Sequence, residues 1–389
     1  MRNVTTRKYM AESSLDLFSI TAPGLESVTS GELSALGVAS HSVTRGGVAW
    51  RGSLRELYNA NLWSRTASRV VMRVGEFHAS SFAELERRAK RMPWGRYVRR
   101  LDRVRFRVTC HKSALYHSDA VAQRFAESCS AVTGCSIVAD VEGQEEIEPS
   151  RGEQLFVVRI EHDNVSVSAD SSGTLLHKRG YRQATAKAPM RETIAAAMLL
   201  ASEWRNGVPL IDPMCGSGTI PIEAALIARR IAPGLNRSFR FENWPKFDAA
   251  VWKTLREGAE AASLRRAASP IVAADRDAGG TAAAAANAER AGVLDDLEIE
   301  TRSLSATRRV GTGDGWVLTN PPYGIRVGTD VRNLYASLGA LMRGELSGWR
   351  LGILSASTEF EAQLDIPLRK RFATTNGGIP VEFMTTEGE

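Results

Sequence analysis

A short apolar run, Val208 to Ile211, gives way to Asp212-Pro213-Met214-Cys215-Gly216-Ser217-Gly218-Thr219, after which Ile220 to Ile231 carries apolar residues at Ile220, Ala224, Ile227 and Ile231. Strand, glycine turn and helix in that order constrain the fold more than any other stretch of the chain. The spacing after the turn places the apolar residues on one helix face. Gly216 and Gly218 permit positive φ and close backbone approach, and the N–H groups of the helix N-terminus then face whatever lies above the turn. This is the setting of a nucleotide-binding βα turn in an α/β fold. A lone Gly-x-Gly also occurs in plain βα turns. No Gly-Lys-Ser/Thr follows, which argues against a phosphate loop.

Two further segments stand downstream in the order such a fold requires. Ile271-Val272-Ala273-Ala274 reads as a strand ending in Asp275-Arg276-Asp277. An acid at the end of the second strand is where these folds hold ribose hydroxyls. Asp275 directly ends the apolar run and is the candidate for that role. Asp277 reads as the N-cap of a helix over Ala278 to Ala291. The third segment is Asn320-Pro321-Pro322-Tyr323, entered from Trp316-Val317-Leu318. An exocyclic base amine is a poor nucleophile because its lone pair is delocalised into the ring. An Asn side-chain oxygen and the carbonyl between two prolines can both accept from that NH2, and the prolines stiffen the turn. The Tyr ring offers a stacking face for an unpaired base. This motif resembles the one that amino-directed methyltransferases carry at a strand end; the alternative is an ordinary Pro-Pro turn.

Together, Asp212-Pro-Met-Cys-Gly-Ser-Gly, Asp275-Arg-Asp and Asn320-Pro-Pro-Tyr-Gly are similar to class I S-adenosylmethionine-dependent RNA methyltransferases with a THUMP domain, bacterial 23S rRNA guanine-N2 enzymes above all, with tRNA guanine-N2 enzymes nearby. The resemblance extends over Ala22 to Glu26, Arg45 to Val48, Asn61 to Arg69, His177 to Arg182 and Ala188 to Thr193. It implies an α/β protein: a C-terminal Rossmann-like class I methyltransferase domain over 188–389, a ferredoxin-like domain over 15–69, a THUMP RNA-binding domain over 70–172, and a linker over 173–187. It implies S-adenosylmethionine as cofactor, held by Asp212, Pro213, Met214, Cys215, Gly216, Ser217, Gly218, Asp275, Arg276, Asp277 and Asn320. The amine-holding residues would be Asn320, Pro321, Pro322 and Tyr323. One departure stands after the strand-like Leu297 to Thr301, where such enzymes often carry an Asp toward the adenine amino group. Here the residue is Ser303, which carries no charge.

Charge supports a nucleic-acid partner. The formal net charge is +6, and residues 1–185 hold 26 basic against 20 acidic residues, so the whole excess lies there. It is sharpest from Arg87 to Lys112, with eleven basic residues, one acid (Asp102), and Trp94, Tyr97 and Phe106 interleaved. Basic residues among aromatics suit a surface that tracks an RNA backbone; a solvated helix face followed by a strand is the plainer alternative. Arg103-Val104-Arg105-Phe106-Arg107-Val108 alternates with period two, so its arginines share one sheet face.

No apolar run is long enough to span a membrane, and Met1 to Ser14 is polar and basic, unlike a secretory leader. Cys110, Cys129, Cys135 and Cys215 show no paired metal spacing, so no metal and a reducing cytoplasm are expected. The six histidines fall outside the catalytic region. Glu223, one helical turn beyond Thr219, reads as a support for the glycine turn. Leu155 to His162 and Asn164 to Ala169 read as a hairpin, Ser118 to Thr133 and Val331 to Leu346 as helices, and Pro245 to Ala262 as an inserted helix. The reading that joins these observations is a monomeric RNA methyltransferase acting on guanine N2 of 23S rRNA. Rival readings are a tRNA guanine-N2 enzyme, adenine-N6 or glutamine-amide methylation, and a non-catalytic RNA-binding ribosome-assembly factor.

Overall fold

The computed structural model describes residues 14–139, 152–183, 190–322 and 328–387. In the first half the chain runs β1 (Leu15–Thr21), α1 (Glu26–Ala35), β2 (His41–Thr44), β3 (Gly47–Gly52), α2 (Leu54–Trp63), β4 (Ala67–His78), α3 (Phe82–Ala89), β5 (Arg103–His111), α4 (Ser118–Thr133), β6 (Ser136–Ile137), β7 (Glu153–Glu161) and β8 (Asn164–Asp170). All eight strands join one sheet in the order β2-β3-β1-β4-β8-β7-β5-β6. The hairpin expected at 155–169 is β7–β8. β4 pairs with β1 on one side and β8 on the other, so it crosses residues 69 and 70 without a break. Period-two alternation decides which side chains enter the core. Leu17, Ser19 and Thr21 of β1 are buried, whereas Asp16, Phe18 and Ile20 face the other way.

The second half runs α5 (Glu192–Ala201), β9 (Leu210–Asp212), α6 (Thr219–Ala228), α7 (Ala249–Ala262), β10 (Ile271–Asp275), α8 (Ala278–Ala291), β11 (Glu298–Thr301), β12 (Trp316–Thr319), α9 (Gly328–Arg343), β13 (Arg350–Ser355), α10 (Thr358–Ala362), β14 (Arg369–Asn376) and β15 (Ile379–Thr385). The sheet order is β11-β10-β9-β12-β13-β15-β14. β9 to β13 are parallel, and β15 is antiparallel to both neighbours. Leu210 and Leu318 pack with α5 and α6, while Ile211 and Val317 pack with α9 on the opposite face. Strands buried on both faces read as unbroken apolar runs, as parallel strands between helices do. Counted within this sheet, the order is third, second, first, fourth, fifth, seventh, sixth. It reverses between β9 and β12, and that reversal opens the crevice where α/β sheets bind ligands.

The two halves are interlocked. Phe239, Phe241, Trp244, Trp252, Leu255 and Ala259 come from the second half but belong to the core beneath the first sheet. Tyr58 of α2 stacks on Phe241 with centroids 4.3 Å apart, and Trp252 meets Phe239 and Phe241 edge-on at 5.6 and 5.1 Å. The inserted helix expected over 245–262 is α7, N-capped by the Asp248 carboxylate. In the other direction, Leu25 is buried in the core of the second half. Gly24 has φ +88°, and a Cβ there would stand 1.6 Å from the Ala373 carbonyl oxygen of β14.

One expectation about the basic stretch fails. Trp94, Tyr97 and Phe106 are 0%, 3% and 3% exposed, so they are core and not stacking platforms. Phe106 shares the inward face of β5 with Val104, and Trp94 Nε1 donates to the Ala89 carbonyl at 2.9 Å. The basic residues also divide. Arg87, Arg88, Lys90, Arg91, Arg96, Arg99 and Arg100 are exposed around α3 and the turn after it. Arg103, Arg105 and Arg107 lie on the outward face of β5, where Arg105 is buried against Glu153 at 2.5 Å.

The interlock gives a test. Trp252→Ala should cost about 3–5 kcal/mol, the range for deleting a buried Trp. Hydrogen exchange should speed first in α2, β1 and β3 rather than in β9 to β12, although Trp252 belongs by sequence to the second half. Loosening confined to the second sheet would contradict this packing.

Candidate active site

Three loops meet at the sheet reversal. The first leaves β9 at Asp212 and reaches α6 through Gly216, φ +52°, and Gly218, φ +82°. The second follows β10, and the third follows β12. A Cβ at Gly218 would lie 2.8 Å from the Ala284 Cβ of α8, so glycine is required there by sterics as well as by φ. The Cys215 N–H donates to the Ala274 carbonyl at 2.9 Å, tying the turn to β10. Asn287 of α8 donates from Nδ2 to the Ser217 carbonyl at 3.0 Å. Gly218 starts α6 without a side-chain cap, which leaves donors of the first turn to face the crevice.

Asp275 and Asp277 take different tasks. Asp275 accepts the Gly216 N–H at Oδ2 and the Asp277 N–H at Oδ1, each at 2.9 Å. It thereby braces the glycine turn, and its remaining lone pairs stay available to a ligand. Asp277 N-caps α8, accepting from Gly279 and Gly280 N–H at 3.2 Å, as the sequence predicts. Arg276 and Ser303 are exposed, and the Ser303 hydroxyl lies 3.0 Å from that of Ser305.

Asp212 is 2% exposed and accepts at Oδ1 from Thr319 Oγ1 at 2.8 Å and from Met214 N–H at 3.1 Å. Burial pushes its carboxyl up to about 7 against those two hydrogen bonds. Thr319 immediately precedes Asn320, so one side-chain bond joins the glycine turn to the Asn-Pro-Pro turn. Asn320 Oδ1 is buried and has no hydrogen-bond partner among the described residues. Pro321 is buried and Pro322 exposed, and Tyr323 lies outside the described residues. Burying an amide oxygen unpaired is costly. It is the form in which a site keeps an acceptor ready for a donor that arrives with its ligand.

A family profile described as RMKL-like, methyltransferase domain, matches residues 179–382. The chain belongs to this RMKL-like methyltransferase family. The RlmL ferredoxin-like domain profile matches residues 16–71. The ribosomal RNA large subunit methyltransferase K/L of Syntrophotalea carbinolica is 36% identical over 385 residues, 93% of this chain and 52% of that protein. The chain therefore spans about half the length of the curated relative it matches. A Listeria monocytogenes structure named as a predicted N6-adenine-specific DNA methylase superposes with TM-score 0.83 at 32% identity, covering 97% of both chains. The structure of SMU.472, solved in complex with SAH, gives TM-score 0.84 at 29% identity, covering 98% of this chain and 99% of that one. The second half has the class I methyltransferase fold.

Three parts of this candidate site went unnamed in the sequence analysis: Thr319 at the end of β12, Asn287 within α8, and Arg179 and Tyr181 in the segment read as linker. In the structure Tyr181 OH donates to Glu223 Oε1 at 2.8 Å, and Arg179 pairs with Glu223 Oε2. Glu223 thus anchors α6 just beyond the glycine turn, the supporting role its position predicts. No group of three or more His, Cys, Asp or Glu among the described residues is arranged to hold a metal. None of the described helices is long and apolar enough to cross a membrane.

The raised Asp212 carboxyl makes a signed prediction. Its folded pKa, about 7, lies above the unfolded value of about 3.9. Its contribution to stability is therefore fully present below about pH 4 and is lost as pH rises through 7. Asp212→Asn removes that titration. The variant's Tm should gain on wild type from about pH 4 to pH 7 and keep a constant lead above it; parallel pH curves would place the charge elsewhere.

Proposed function

We propose that this chain is an S-adenosylmethionine-dependent RNA methyltransferase that acts on an exocyclic base amine, guanine N2 of large-subunit ribosomal RNA. The observation that carries the reading is the Oδ1 of Asn320, buried and without a hydrogen-bond partner among the described residues, set beside a braced glycine turn at the sheet reversal. The similarity to a ribosomal RNA large subunit methyltransferase supports RNA as substrate, and the SAH in the SMU.472 structure supports the cofactor class.

The residues present fit that cofactor. Gly216 and Gly218 hold the turn in a left-handed conformation that lets a ligand approach the backbone closely. Asp212, Pro213, Met214, Cys215 and Ser217 shape the same turn, and Asp275 keeps lone pairs free beyond its two backbone bonds. When bound, S-adenosylmethionine supplies an electrophilic methyl group on a sulfonium. On the substrate side, Asn320 Oδ1 and the Pro321 carbonyl accept from the two N–H bonds of the amine. This localises the lone pair and aims it, so alignment and hydrogen bonding carry the catalysis. The methylated ammonium is acidic enough to lose its proton to water, so no residue is assigned as base. Tyr323 is given the base-stacking role from the sequence, and residues 70–172 the THUMP-type RNA-binding role.

Asn320→Ala should lower single-turnover methyl transfer to in vitro transcribed 23S rRNA by two orders of magnitude or more, about 2.7 kcal/mol or more of transition-state stabilisation. S-adenosylmethionine affinity by calorimetry should stay within about twofold, because the lost bond acts mainly in the transition state. Nucleoside mass spectrometry should find N2-methylguanosine. N6-methyladenosine would move the substrate to adenine, and cofactor binding without transfer to any RNA would favour a non-catalytic assembly factor.

A further inference from the structure

The outward face of the first sheet carries apolar residues that lie outside its main core. Phe18 and Ile20 of β1 and Val157 of β7 are half-buried there, although the core lies on the other side. Phe18 pairs across β1–β4 with Val71, and Val157 pairs across β7–β8 with Ser168. These side chains floor a concavity of about 580 Å³. Arg45, Arg73 and Arg159 stand at its margin, and Glu161, the one acid among its lining residues, lies 3.7 Å from Arg159 Nε, so the arginines outnumber the acid there. The open strands β1, β4, β8, β7 and β5 are consecutive in the sheet. At about 4.8 Å per strand they span about 19 Å, room for several nucleotides.

We infer that this concavity is a docking surface for an unpaired RNA strand, with bases against the apolar floor and phosphates on the arginine margin. The inference rests on the RNA-methyltransferase reading above. Charge complementarity selects an anionic occupant, and the floor selects one with exposed flat apolar faces. Unpaired RNA has both. An A-form duplex turns its bases inward and presents phosphates and 2′-hydroxyls, which cannot reach a recessed floor. The exposed basic residues around α3 lack such a floor, since the aromatics beside them are core. The concavity also includes Pro23, next to Gly24, which packs on Ala373 of β14. It therefore opens beside the seam between the RNA-facing half and the catalytic half.

The test uses the full chain, a fluorescein-labelled unstructured oligoribonucleotide, and a matched RNA duplex, with anisotropy read over a range of KCl concentrations. Arg73→Gln and Arg159→Gln should each weaken binding of the unpaired strand several-fold and reduce the magnitude of the salt slope by about 0.7 per lost phosphate contact. Arg87→Gln on α3 should leave both quantities near wild type, and all three variants should keep wild-type affinity for S-adenosylmethionine. Unchanged affinity and slope in the Arg73 and Arg159 variants, or tighter binding of the duplex than of the single strand, would overturn the assignment. The two readings fail separately. If wild type transfers methyl groups to RNA while these variants bind like wild type, the surface is wrong and the enzyme stands. If the variants lose RNA but wild type transfers no methyl group, the surface stands and the enzyme reading falls.

Discussion

The hydrogen bond from Thr319 Oγ1 to Asp212 Oδ1, 2.8 Å long and closed to water, holds together the two loops that make the site. β9 has three residues and β12 four, and their pairing covers only Trp316 with Leu210 and Val317 with Ile211. So short a ladder cannot by itself fix how the loops beyond it face each other. The side-chain bond continues the pairing by one more link, at the level where ligands would sit. It keeps a carboxylate in a desolvated place, which opposes folding at neutral pH. Sites that hold ligands commonly keep such strained groups, supported by the rest of the fold. Here the support comes from Asp275 and Asn287, which pin Gly216 and Ser217 from the neighbouring elements.

A second buried network lies behind the glycine turn and crosses between the halves. Glu223 is fully buried and meets Arg179, Tyr181 and, at 3.9 Å, Arg65. Arg65 also donates to the Ile231 carbonyl, and Arg179 to the Arg65 carbonyl, both at 2.6 Å. A buried ion pair of this sort adds little net stability over apolar packing, but removing one partner leaves a bare charge. Its value is geometric: α6 takes its orientation from residues of the first half and of the connector.

Much of this was legible in the sequence because the signals were local. The strand–glycine–helix pattern, the acid ending β10 and the Asn-Pro-Pro turn each lie in one continuous stretch of chain, and their order alone implied the sheet. Helix ends were legible where chemistry marked them: Asp277 caps α8, and α4 spans Ser118–Thr133 and ends at Gly134, φ +70°. What stayed hidden was non-local. β14 alternates buried and exposed residues from Arg371 to Asn376, but Thr374 and Asn376 on its buried side are polar and its register with β15 shifts between Lys370 and Phe372, so its apolar pattern is diluted. The burial of Trp94, Tyr97 and Phe106 depends on α4 and β7, which no reading of 87–112 can include. The pairing of Thr319 with Asp212 spans 107 residues, and nothing in either neighbourhood announces it.

The aromatic residues of 239–252 beneath the first sheet set the order in which the newly made chain can become stable. β1 to β8 are complete by Asp170, but their core still lacks Phe239, Phe241, Trp244 and Trp252. At roughly 5–20 residues per second, synthesis leaves that apolar underside waiting for seconds until α7 emerges. During that interval the first half is a sheet with an unfilled floor, the kind of surface that chaperones hold and that aggregates when left alone. The same dependence ties the inheritance of the two halves. An exchange at the connector would separate the first sheet from the helix that completes it, so a recombined chain keeps a sound first half only if residues 232–259 travel with it.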